Sequence, residues 1–146
     1  MKNPEETRVQ EALPYGFEDT SFQAVGGIRG IKKLVATFYL LVDTLAEAEE
    51  LRALYPEDLT RSKEKLGRYL CGWLGGPQKY KEKYGRIKIT DAHQRFEISS
   101  ELGEVWIKCM HLAIDKQGFS SKFTDYFKEQ FQVIANRIVK EHRGLK

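Results

Sequence analysis

The sequence predicts an all-α protein. Three observations carry this expectation: four long stretches with apolar residues at helical spacing, short connections marked by glycine, proline or serine, and no run able to make a sheet. The one alternating stretch, Ile87-Lys88-Ile89, is too short and too isolated to pair.

The elements follow in order. Thr20 or Ser21 opens a short segment that Gly26-Gly27 closes, because glycine takes the left-handed conformation that ends a helix. From Ile28 onward, Ile31, Leu34, Val35, Phe38, Tyr39, Val42 and Leu45 step by three, four or one, which places them on one buried face of a long helix. Leu51, Leu54 and Tyr55 suggest a further short helix stopped by Pro56. Leu59, Ser62, Leu66, Tyr69, Leu70 and Trp73 line the next, which ends at Gly75-Gly76-Pro77. Residues 78–90, mostly Lys, Gln, Tyr and Gly, read as a break, after which Thr90 or Asp91 can cap a short helix holding His93. Ser99 or Ser100 opens a helix with Leu102, Val105, Trp106, Cys109, Met110, Ala113 and Ile114 turned inward, ending at Gly118. Ser120 or Ser121 opens the last, with Phe123, Phe127, Phe131, Ile134 and Ile138 on one face.

With 146 residues, 41% hydrophobic and 31% charged, the chain suits one compact domain with a real core and a cavity within it. Lys and Arg total 24 against 21 acidic residues, and the resulting +3 falls far short of a dedicated nucleic-acid binder. Charge is unevenly placed: residues 61–95 carry ten basic and three acidic side chains, and residues 43–58 one basic and six acidic. A solvated helix face with a basic loop is one reading, and an anion site near Lys63, Lys65 and Lys79 the other. Cys71 and Cys109 form no CxxC pattern, so free thiols in a reducing cytosol are expected. The polar, acidic N-terminus is unlike a signal peptide, and no apolar run approaches the ~18 residues of a membrane span. A soluble cytoplasmic protein is the expectation.

Of the histidines, His142 sits in a charged C-terminal tail and His111 beside the apolar stripe of its helix, neither with a metal-ligand partner. His93 lies on a short helix beyond a basic stretch, where one imidazole can enter a cavity as a single axial ligand to haem iron requires. By spacing alone, a packed or surface histidine is the ordinary reading.

The combination is more specific. Phe38-Tyr39, Tyr55-Pro56-Glu57-Asp58, Trp73 with Gly75-Gly76-Pro77, His93 with Phe96 and Ile98, and Trp106 with Cys109-Met110-His111 together resemble the truncated haemoglobins of group II. The resemblance runs from about Phe22 to Ile114. It implies a two-over-two helical sandwich holding haem b, with His93 as the proximal iron ligand and Tyr39, Tyr55 and Trp106 around the distal ligand. Two phenols and an indole N–H suit a diatomic ligand whose outer oxygen gains negative charge. The resemblance also implies that Leu66 covers the distal side, that Phe38, Tyr69, Leu70, Phe96, Ile98 and Met110 wall the macrocycle, and that Lys65 serves a propionate, a surface lysine being the competing reading; Tyr80 and the Lys79 to Arg86 stretch lie near enough in sequence to help.

This chain departs from the family pattern in four places. Ala92 precedes the proximal His where a basic residue is common, and Ser62 stands where other globins carry a distal His or Gln. A few extra residues in Asp43 to Glu50 are expected to loosen the segment bearing Tyr55. Residues 1–19 form an extension in which Pro4 to Leu13 make a short extra helix, leaving 20–146 as the globin domain. The implied function is binding of dioxygen, and of carbon monoxide or nitric oxide, as in oxygen transport. An enzyme reading uses the same pocket to oxidise nitric oxide to nitrate or to reduce peroxide, with an unidentified reductase as electron donor. A haem-free helical interaction module is the third reading. Neither nucleic acid nor membrane is an expected partner.

Overall fold

The computed structural model describes residues 15–85 and 100–144, apart from the side chains of 100, 135 and 137–144. Among the described residues there are seven helices, a 3-10 turn and no strand. Helix α1 spans Thr20–Val25, α2 Gly27–Thr44, α3 Glu49–Ala53, α4 Thr60–Trp73, α5 Lys79–Tyr84, α6 Ser100–Asp115 and α7 Ser121–Gly144, with the 3-10 turn at Ala46–Ala48. The pair α2 and α4 lies against the pair α6 and α7 through α2 on α6, while α1 packs on α2 and α5 on α4.

The sequence pattern explains these elements. The α2 stripe is buried as its spacing requires, with Ile31, Leu34, Val35, Phe38, Tyr39 and Val42 all inside. Ser120 caps α7, its Oγ accepting the Phe123 N–H at 3.2 Å. Phe119, Phe123, Phe127 and Phe131 then form a ladder of rings with successive centroids 5.2, 5.1 and 4.9 Å apart. Burying each such ring contributes about 1.5–3 kcal/mol, so this row anchors α7 in the core.

Helix α1 sits on the end of α4. Gly26 stops α1 at φ 96°, and the Phe22 N–H donates to the Leu74 carbonyl at 2.9 Å. Gly75 adopts φ 92°, and a Cβ there would collide with the Glu18 carbonyl, while one on Gly76 would strike the Phe22 ring. The glycine pair thus ends α4 and lets α1 lie against it.

Two expectations are corrected. Residues 79–84, read as part of a break, form α5. Tyr80 and Tyr84 lie four apart with centroids at 4.9 Å, a helical pairing that a scan for aliphatic spacing overlooks. His142 lies within α7, not in a tail, because the helix continues to Gly144. The expected helices at Pro4 to Leu13 and around His93 lie outside the described residues. No helix among the described residues is long and apolar enough to cross a membrane.

Candidate functional site

Three of the expected site residues converge from three elements. Tyr39 comes from α2, Tyr55 from the connection between α3 and α4, and Trp106 from α6. The Tyr39 and Tyr55 rings meet edge to face with centroids 5.4 Å apart, and Phe38 bridges Tyr39 at 5.0 Å to Trp106 at 5.2 Å. Tyr55 retains some surface exposure, but its phenol oxygen lies in the interior, where it hydrogen-bonds with both Trp106 and Tyr39. Indole nitrogen can only donate, so Trp106 Nε1–H gives its proton to Tyr55. Tyr39 and Tyr55 share a hydrogen bond as well. The Ser62 carbonyl, 3.5 Å from the Tyr39 hydroxyl, is at the limit of bonding distance and is the weaker partner.

Burial pushes both phenols well above their usual pKa. For Tyr39 the neighbouring Tyr55 adds to that rise, whereas for Tyr55 burial outweighs the hydrogen bonds with Trp106 and Tyr39 that pull the other way. Both are therefore neutral hydroxyls at ordinary pH.

The connection carrying Tyr55 is held by a residue outside the expected set. Arg52 Nε donates to Asp43 Oδ1 at 2.9 Å, Nη1 to the carbonyls of Tyr55 at 3.4 Å and Pro56 at 2.9 Å, and Nη2 to the Glu57 carbonyl at 2.9 Å. At its far end Asp58 Oδ1 accepts the Thr60 N–H at 2.9 Å, which starts α4, and the Thr60 hydroxyl together with that N–H holds the Asp58 carboxyl below its usual pKa. The expectation that extra residues in Asp43 to Glu50 loosen this segment is thus corrected: they fold into the 3-10 turn and α3, and Arg52 fastens the result. Its signal in the sequence was its place as the lone basic residue among six acidic ones in 43–58.

Phe38, Leu70 and Met110 are buried in the core, and Leu66 and Tyr69 are half-buried against it. Tyr69 stacks on Trp73 at 6.5 Å and meets Tyr80 at 6.2 Å, so the α4 face and α5 share a row of rings. Lys65 lies over the Tyr84 ring at 5.4 Å. Glu64 gathers Arg68, Lys83 and the Tyr84 hydroxyl, so part of the basic excess is neutralised locally. His111 Nε2 lies 3.3 Å from the Lys128 carbonyl, and burial lowers its pKa. His93, Phe96, Ile98 and Ala92 lie outside the described residues. Among the described residues no group of three or more His, Cys, Asp or Glu could hold a metal.

Leu66, Tyr69 and Trp73 on α4, with Leu102, Val105 and Trp106 on α6, are apolar yet only partly covered where they flank the core. A flat apolar macrocycle suits such surfaces, and the adjacent phenol and indole donors suit a polar ligand on it. The donor set therefore fits haem on the side described.

Two helix pairs about an aromatic core with a buried phenol–indole cluster define a globin of the shortened kind. Residues 20–140 match the family described as bacterial-like globin. The chain is 29% identical over 111 residues to the group 2 truncated haemoglobin YjbI of Bacillus subtilis strain 168, covering 76% of this chain and 82% of that protein. It superposes with TM-score 0.78 and 33% identity on the group II 2-on-2 haemoglobin of Agrobacterium tumefaciens, covering 82% of this chain and 92% of the other. The truncated oxygen-avid haemoglobin of Bacillus subtilis gives a TM-score of 0.75 and 28% identity, covering 82% and 98%. The chain belongs to the bacterial-like globin family and, within it, to the group II truncated haemoglobins.

Proposed function

We propose that this protein holds haem b and binds dioxygen, with carbon monoxide and nitric oxide as further ligands. The observation that carries the reading is the convergence of Tyr39, Tyr55 and Trp106 on one interior point beside partly covered apolar surfaces of α4 and α6. Haem, when bound, supplies the iron at which a diatomic gas is held reversibly.

The chain's own residues do the rest. His93 is the proximal ligand, with Phe96 and Ile98 beside it. Leu66, Tyr69 and Phe38 keep water from the ligand and present apolar surface, while Lys65 and Tyr80 serve the propionate side. Trp106 donates to Tyr55, which also shares a hydrogen bond with Tyr39, and a phenol that accepts a bond is a stronger donor in turn. In this dry setting the cluster favours a ligand that carries negative charge, so dioxygen gains more than carbon monoxide. The likeness to an oxygen-avid relative supports the same reading. Residues 20–146 form the globin domain and 1–19 an extension, a division supported by the start of the family match at residue 20. The cytoplasm is the proposed location.

The visible absorption spectrum of protein purified from cells tests this. A Soret band that shifts with dioxygen and with carbon monoxide is expected. Protein free of haem that takes up none on reconstitution would overturn the reading.

A further inference from the structure

We propose that Arg52 is a positioning residue that sets the Tyr55 hydroxyl in the distal cluster by bracing two chain segments against each other. This deepens the proposed function and rests on it. Asp43 stands four residues after Tyr39 on α2, one helical turn further along. Through Arg52 the Asp43 carboxylate is linked to three consecutive carbonyls, those of Tyr55, Pro56 and Glu57. The helix that carries one phenol is thereby tied to the backbone that carries the other, across the Asp43 to Glu50 segment.

Geometry gives the brace its force. A guanidinium offers five N–H groups in a rigid fork, and here that fork spans a carboxylate on one side and a row of carbonyls on the other. Lysine has a single flexible ammonium and cannot reproduce this spread. The Arg52 side chain is only 21% exposed while Asp43 is 54% exposed, and of the bonds Arg52 makes, the one to the Tyr55 carbonyl is the partly buried one. Apart from Arg52, the Thr60–Asp58 bond pins the far end of the same connection. A Tyr55 backbone released from Arg52 would let the ring shift, and a displacement of the phenol oxygen weakens both bonds it makes.

The test compares Arg52→Gln and Arg52→Lys in the wild-type and Tyr55→Phe backgrounds, using haem-loaded protein. Dioxygen release should quicken by about fivefold in each Arg52 variant, with carbon monoxide release changed less than about twofold. In the Tyr55→Phe background neither substitution should quicken it further, since the residue acts through Tyr55. Equal acceleration in both backgrounds, or none in either, would overturn the proposal. A second readout does not depend on haem: the Trp106 indole N–H, observed by NMR, should exchange with solvent faster in Arg52→Gln than in wild type. Unchanged exchange would also overturn it. If no variant shows a Soret band, the haem reading fails, while the indole exchange still decides the role of Arg52.

Discussion

The rings of Tyr39 and Tyr55 meet at 88°, edge on face, and their hydroxyls share one hydrogen bond while Trp106 supplies a second to Tyr55. Removing either outer group leaves the Tyr55 hydroxyl with one of these two partners. Tyr39→Phe and Trp106→Phe should each speed dioxygen release by about fivefold, the equivalent of about 1 kcal/mol. The double variant should not show the product of the two, because both act through one oxygen. Carbon monoxide, a poorer acceptor, should respond much less. Stopped-flow dissociation of both gases checks this, and equal changes for the two would point to altered access instead.

His93→Ala should purify with little haem or with an iron lacking its proximal nitrogen. Added imidazole should restore the wild-type spectrum, as expected when a small base fills the site the side chain left. Haem content and spectrum unchanged in the variant would remove His93 from the role.

Cys71 and Cys109 are free and buried, and burial raises both thiol pKa values, that of Cys109 to about 11. Thiolate is the reactive form, so a thiol reagent at neutral pH should label neither residue quickly in folded protein and both in denaturant. Fast labelling of two thiols without denaturant would contradict the packing described.

Alkaline pH should weaken the fold. In the unfolded chain a thiol ionises near 9.0 and a phenol near 10.0, whereas in the folded protein Cys109, Tyr39 and Tyr55 hold their protons to higher pH. The folded state binds more protons in that range, so stability is full below pH 9 and falls as pH rises through the raised values. Denaturant midpoints measured from pH 8 to 11 should decline, and Tyr39→Phe should make the decline shallower. A flat profile would count against the burial of these groups.

The long helices were legible because their aliphatic residues keep helical spacing and their ends carry glycine or serine. Tyr39, Tyr55 and Trp106 were singled out only through the family resemblance, since a lone Tyr or Trp in a stripe reads as core filling. Helix α5 escaped because its inward residues are tyrosines among lysines. Arg52 escaped for a different reason: it stands out as the lone basic residue among six acidic ones, but three of its four partners are backbone carbonyls, which no residue pattern marks. Conversely, the extra residues after Asp43 suggested slack that a single guanidinium removes.

The contact of Phe22 with Leu74 has a consequence for how the molecule comes apart. A six-residue helix would ordinarily fray by itself. Here its amide is bonded to the end of α4, and Gly75 admits the Glu18 carbonyl and Gly76 the Phe22 ring so closely that the two ends interlock. They should therefore open as one cooperative unit. Hydrogen exchange at the Phe22 amide should follow the protection of the α4 C-terminus, and a side chain introduced at Gly76 should lower both together.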